Sequence, residues 1–397
     1  MDVSEEQAAP AAAVRRGTIT VMSAACGIMV GNVYLCQPLL HEIAVGFGVT
    51  EQAAGLVAVA AQIGFATGIL MIVPLADVAE PRRLVRVLMA VTAVGLFAAA
   101  AAPGLPVLIV ATILASSATV VPQVLIPLAT GLAAPEQRGR IIGTLQTGLV
   151  LGILLSRTVA GLVASAAGTW RAAYALAAVL TGCLFMVLPA FMPARLSGRE
   201  RQSYPALLRS MPPLLVHRAL RLSMGLGFCI FGAFSAFWAT LAFHLATPAF
   251  GLGPAATGLF GLWGAPGAMV APLGGRLADR FGAGRVNLAA LLSAGGAFVV
   301  AAVIGGSSLL ALVVTVNLLD FGLQSGQVAN QVRIFALSSH LRARLNTLYM
   351  VAVFSGGAVG SFVGTMAWSG AGWIGVCAVG IGFVAMAGVF LARSKAR

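Results

Sequence analysis

The sequence predicts an all-α polytopic membrane protein: twelve transmembrane helices in two pseudo-symmetric six-helix bundles. Three observations carry this. Charged residues are only 9% of the 397, while apolar residues are 59% with 48 Gly besides; soluble domains carry about 25% charge. The uncharged runs are long enough for helices of about 20 residues, the length that crosses a bilayer. Short polar patterns also recur in the same order half a chain apart.

Runs free of Asp, Glu, Lys and Arg, or broken by one such residue, define the helices in order. Residues 17–41 and 52–76 hold one each. Residues 87–135 hold two, parted at Pro103-Gly104-Leu105-Pro106. Residues 141–170 hold one, interrupted only by Arg157, and 172–194 hold one. Residues 222–275 hold two, parted between Pro248 and Pro254. Residues 286–332 hold two, parted at Gly305-Gly306-Ser307-Ser308, with Asp320 inside the second. Residues 345–392 hold the last two, parted at Ser369-Gly370-Ala371-Gly372. The expected organisation is a tail over 1–17, a first bundle over 18–194, a linker over 195–218, a second bundle over 219–392 and a tail over 393–397.

Orientation follows from the basic residues, which collect in cytoplasmic loops. With the N-terminus inside, 22 of the 24 basic residues fall in cytoplasmic segments; the exceptions are Arg171 in an outer loop and Arg157 in the membrane. Both termini are therefore expected in the cytoplasm. The net charge of +13 is spread between apolar runs, not gathered into one phosphate-binding face, so no nucleic-acid partner is expected. Residues 1–16 mix charges ahead of a long apolar run, unlike a cleavable leader.

The five Cys lie inside apolar runs without a CxxC and read as packing residues. The four His have no metal-ligand spacing, and no metal is expected. There is no HExxH, no Gly-rich nucleotide loop and no pair of membrane acids, so neither an enzyme nor a cofactor is expected.

The two halves echo each other. Leu75-Ala76-Asp77 recurs as Leu277-Ala278-Asp279, Arg138-x-Arg140 as Arg342-x-Arg344, and Trp170 as Trp373. Helix 5 carries small residues at four-residue spacing (Gly148, Gly152, Ser156, Ala160), and helix 11 does the same with Gly356, Gly360 and Gly364. Such rows permit close backbone packing. A repeat of six-helix bundles is a transporter architecture, with the substrate site between the halves.

The loop after helix 8 reads Gly275-Arg276-Leu277-Ala278-Asp279-Arg280-Phe281-Gly282, followed by Arg285. It resembles the cytoplasmic signature loop of the major facilitator superfamily. The first-half copy, Val73-Pro74-Leu75-Ala76-Asp77-Val78-Ala79-Glu80, is degenerate but is followed by Arg82 and Arg83. The stretches Asn32 to Leu40, Asp320 to Gln324, Asn330-Gln331 and Arg344 to Tyr349 are similar to the superfamily's bacterial drug and sugar efflux branch. The resemblance implies a secondary transporter of the bacterial inner membrane, working by alternating access as a monomer. It further implies that a small solute leaves as protons enter. Uptake or facilitated passage of a metabolite is the alternative direction, and a non-transporting receptor on the same fold a third reading.

Helix 10 carries Asn317, Asp320, Gln324, Gln327 and Gln331 at 3, 4, 3, 4 spacing, one polar face. Such a face lines a wet cavity or bonds a partner helix. Asp320 is the only acid inside a helix and reads as a protonation site or as half of a permanent ion pair. Arg157 is open to three roles: gripping an anionic substrate group, pairing with Asp320, or capping backbone near a helix end. It shares a helix face with Gln146. Further cavity candidates are Asn32, Gln37, Gln62 and Gln123. Phe231, Phe234 and Trp238 on helix 7 are either packing or pocket. Asp77, Arg82, Arg83, Asp279, Arg280 and Arg285 are candidates for gating charges, with local loop pairs as the alternative.

Overall fold

Breaks in this chain come where the sequence places helix stops, and they leave helices of membrane-spanning length between them. The computed structural model describes residues 16–134, 137–192, 203–269, 271–338 and 340–395. Nearly all of the expected 1–17 tail lies outside them, as do residues 195–202 of the expected linker, with Arg195, Arg199 and Arg201. All regular elements among the described residues are helical. The spans are α1 (Gly17–Phe47), α2 (Glu51–Asp77), α3 (Pro81–Ala100), α4 (Leu105–Gly131), α5 (Arg138–Ala167), α6 (Arg171–Phe191) and α7 (Arg218–Ala246), then α9 (Ala283–Val303) and α10 (Leu309–Phe335).

Two composite segments complete the twelve. The interval between α7 and α9 is α8, built of Pro254–Trp263, Ala265–Ala268 and Ala271–Phe281, with Pro266 removing a backbone donor at the break. The stretch Arg342–Lys395 is α11 (342–371) and α12 (373–395), separated at Gly372, whose φ of 58° and ψ of −147° are not helical. The expected Ser-Gly-Ala-Gly break therefore falls on its last residue. Ser308 caps α10, its hydroxyl accepting from the amide of Ala311 at 3.3 Å, as capping residues do.

The repeat extends to the backbone. Gly48 and Gly251 follow α1 and α7, Gly168 and Gly372 follow α5 and α11, and all four have φ between 58° and 66°. Only Gly adopts this region without a steric cost. Both pairs stand about 200 residues apart, matching the offset of the polar repeats.

Within the first half α1 packs on α5, and within the second α7 packs on α11. Both contacts are backbone to backbone. A Cβ on Gly152 would lie 2.2 Å from Gly27 Cα, and one on Gly360 would lie 2.0 Å from Gly232 O. Where lipid tails are as apolar as side chains, this close approach is what dispersion can use. The halves meet through α2 with α11 and α5 with α8. A Cβ on Gly55 would lie 2.5 Å from Thr365 Cγ2, and one on Gly161 2.1 Å from Pro254 O. These touching points lie at the end of the bundle away from the Arg-rich loops.

The described part of the expected linker is more apolar in its packing than its charge suggests. It forms two short helices, Tyr204–Arg209 and Pro212–Val216, burying Leu207 and Leu214. The Tyr204 hydroxyl donates to Met71 O of α2 at 2.8 Å.

The seams predict an asymmetric response to added methyl groups. Gly360→Val should cost about 3 kcal/mol or more, since it pushes backbone against backbone. It should lower the thermal denaturation midpoint in detergent. Gly296→Val, at a position with nothing within 4 Å, should leave that midpoint unchanged.

Candidate functional site

The centre of the site is Arg157 on α5, 1% exposed. A buried guanidinium needs hydrogen-bond acceptors or aromatic faces, and the structure supplies both. Pro38 loosens α1 into a tighter turn over Gln37–Leu39. There Gln37 Oε1 accepts from Arg157 Nε at 2.7 Å. Three rings surround the guanidinium carbon: Trp238 at 3.8 Å, Tyr34 at 5.0 Å and Phe234 at 5.6 Å. Trp238 and Phe234 come from α7 in the second half, so the cage spans the interface. Arg157 Nη2 has no hydrogen-bond partner among the described residues.

Asp320 on α10 is 4% exposed. Its Oδ2 lies against the α8 break, so that a Cβ on Gly264 would be 2.5 Å away, and it too has no partner. Asp320 and Arg157 line the same cavity, yet form no ion pair within 4 Å. Of the three roles open to Arg157, backbone capping is not the one seen, because its bonded partner is the Gln37 side chain.

Asn317, one turn before Asp320, faces α8 instead of the cavity. Its Oδ1 accepts from Gly267 N at 2.9 Å, and its Nδ2 donates to Trp263 O at 2.8 Å. It bridges the α8 break, supplying partners where a helix is interrupted.

The cavity between the halves has a volume of about 610 Å³. Arg157 and Asp320 lie at its closed end. Gln123, Gln146, Gln324, Gln327 and Gln331 line it, with Phe231 and Phe234, and it reaches Phe335 and Asn346 near the Arg-rich end. Exposure rises along it: Gln324, Gln327 and Gln331 are half-buried, and Gln146 is exposed. Four members of the expected helix 10 face therefore share one chamber.

Other candidates lie elsewhere. Gln37 and Trp238 stand behind Arg157. Asn32 donates to Thr181 Oγ1 of α6 at 3.4 Å and lines a separate apolar groove of α1, α5 and α6. Gln62 is buried with Oε1 unpartnered and is not among the cavity's lining residues. Asp77 lines a second cleft of about 250 Å³ with Ala343, Asn346 and Thr347 at the start of α11, and with Gln123. Arg82 and Arg83 border an open hollow with Glu80 and Arg86. Asp279, Arg280 and Arg285 are exposed, with Arg280 over the Phe281 ring. The Phe row of α7 divides: Phe231 and Phe234 reach the cavity, Phe228 packs on Phe383, and Phe237 on Trp373.

Sequence reasoning missed three groups. Tyr34 belongs to the Arg157 cage and lies one turn before Gln37, which is the signal that points to it. Phe65 of α2 meets Phe354 of α11 edge to face at 4.5 Å and lines the cavity. The third group closes the far end: Glu51 Oε2 accepts from Trp368 Nε1 at 2.6 Å across the halves, and Glu51 Oε1 lies 3.0 Å from His41 Nδ1. Beside them His244 stacks on Trp373 at 3.9 Å.

A model of the major facilitator superfamily matches residues 21–361. This chain belongs to that superfamily. A protein of Escherichia coli O157:H7 named "Uncharacterized transporter YgaY" is 38% identical over 363 residues, covering 91% of each chain. The Streptomyces coelicolor protein named "Probable transporter SCO4007" is 36% identical, covering 93% of this chain and 86% of that one. Among solved structures, a mutant of the peptide transporter POT superposes with a TM-score of 0.77 at 15% identity, covering 100% of this chain and 99% of that one. A mutant of the nucleoside transporter NupG gives 0.76 at 14%, covering 96% and 98%. At such identity these two establish the fold alone. The chain is a multi-pass membrane transporter of a small molecule, and not an enzyme.

The Glu51–Trp368 bond gives a test of closure at the far end. A hydrogen bond to a charged group contributes about 1.5–3 kcal/mol. Trp368→Phe should therefore raise, by about tenfold, the rate at which a thiol reagent labels Thr365→Cys in a Cys183→Ser background.

Proposed function

We propose that this superfamily member is a secondary active transporter of the bacterial inner membrane, with both termini cytoplasmic, which exports a small solute as protons enter through Asp320. The observation that carries the reading is the central cavity: it is closed at one end by α2–α11 and α5–α8 contacts, and it holds Asp320, the only carboxylate among its lining residues, at that closed end. With the Arg-rich loops in the cytoplasm, the cavity faces inward. Rocking of the halves about their contacts would expose Arg157 and Asp320 to the other side. A proton taken up on one side and released on the other changes the charge at the closed end by one, which ties the gradient to the cycle. The resemblance to the efflux branch supports export, and the amides with aromatic rings suit a drug-like compound, sugar or metabolite. The protein would act as a monomer.

One observation favours a second reading, uptake. Arg157 and Asp320 sit together, and a proton on Asp320 removes a negative charge beside Arg157. A proton and an anionic solute would then bind together and travel the same way.

The experiment is accumulation of a varied compound panel in pump-deficient bacteria, with a protonophore control and an empty-vector control. Lower accumulation with the wild type, abolished by the protonophore, is the expected result. Higher accumulation turns the reading to uptake. Asp320→Asn should fold and still catalyse solute exchange, but lose transport driven by a pH gradient. Full gradient-driven transport by that variant would remove Asp320 from the coupling role.

A further inference from the structure

We infer that the transported solute is an amphipathic organic anion, bound by its carboxylate at Arg157 with its apolar body along the aromatic wall of the cavity. The inference rests on the transporter reading but not on the direction of transport.

The closed end supplies the recognition chemistry. Arg157 is buried, and its Nε donates to the neutral Gln37. Its Nη2 is buried without a partner, and Asp320 is not within ion-pair distance. A guanidinium offers a planar fork that matches a carboxylate. Here the guanidinium carbon lies over the Trp238 ring, 3.8 Å from its centroid, and Gln37 holds the Nε edge. A cation–π contact alone does not occupy the carboxylate-binding fork.

The remainder of the chamber defines the rest of the solute. From Arg157 towards the Arg-rich end the wall carries Phe231, Phe234, Phe65 and Phe354, with Gln324 and Gln327 as neutral donors and acceptors. Asp320 is the only carboxylate among the lining residues. A cationic solute would have to lie beside Arg157, while a neutral one would leave its fork unused. The entrance adds to the preference. In the sequence of the loops between α2 and α3, α4 and α5, and α10 and α11, with the helix ends that flank them, Arg82, Arg83, Arg86, Arg138, Arg140, Arg342 and Arg344 outnumber Asp77, Glu80 and Glu136. An excess of one sign raises the local concentration of the opposite charge and its rate of entry.

The test uses three isosteric probes on the purified full chain in nanodiscs: 4-phenylbutanoate, 4-phenylbutanamide and 4-phenylbutylamine. Binding is read by quenching of tryptophan fluorescence, and transport by counterflow in proteoliposomes. The carboxylate should bind about tenfold or more tightly than the amide or the amine, as a charge-assisted hydrogen bond would give. Arg157→Gln should abolish this preference, bringing carboxylate binding down to the level of the amide. Should that variant fail to fold, Arg157→Lys keeps the charge without the fork, and should bind the carboxylate several-fold more weakly than wild type does. Equal or tighter binding of the amide or amine overturns the inference, as does binding of none of the three. So does carboxylate preference that persists in Arg157→Gln. Binding of the carboxylate without counterflow would leave the anion site standing and count against the transporter reading instead, which keeps the two failures apart.

Discussion

The structure depends on keeping one guanidinium inside a membrane. An Arg at the centre of a spanning helix costs about 2.5–3.5 kcal/mol on insertion scales, and Arg157 cannot shed its proton to avoid that cost. Its surroundings answer to this requirement. Pro38 opens a turn in α1 where Gln37 reaches it, and α7 brings Trp238 and Phe234 across from the other half. Glycines on both sides of the seam, Gly161 and Gly258, let α5 and α8 approach closely beside it. Since the partners come from both halves, the group that is hardest to bury also marks where the halves close.

The helices and their order were legible in the sequence because membrane spans obey a simple rule of length and polarity. The stops at Gly104, Ser308 and Gly372 are local signals, and they fall where the chain turns. The polar face of helix 10 was legible from its spacing alone, and Asp320, Gln324, Gln327 and Gln331 do share a cavity. Asn317 has the same spacing and a different destination. Periodicity fixes a face, but not which neighbour interrupts that face, and the break in α8 is visible only once α8 lies beside α10.

Long-range partners were the illegible part. Glu51 and Trp368 are separated by most of the chain, and neither stands in a motif. Arg157 was conspicuous, yet three roles stood open because its environment comes from α1, α7 and α10, far apart in sequence. Gly48, Gly168 and Gly251 went unread, and Gly372 was legible as a stop but not as one of a pair, for a different reason. In a chain with 48 Gly, the few that need a left-handed backbone do not stand out until their torsions are known. Once seen, they show that the repeat includes its turns as well as its helices.

The glycine seams also have a mechanical meaning. Gly152 and Gly360 bind α5 to α1 and α11 to α7 with backbone contact, so each of these helices is stiffly clamped within its own half. Against the opposite half, α5 meets α8 near Gly161, and α11 meets α2 near Thr365 and again where Phe354 packs on Phe65. α5 therefore behaves as a lever whose pivot is near one tip. From Gly161 to Arg138 the lever arm is roughly 35 Å at 1.5 Å per residue. A rotation of about 10° at the pivot would carry the far tip about 6 Å, more than the radius of a helix backbone. Small torques at the narrow closed end are thereby converted into a wide mouth at the other, with no helix having to bend.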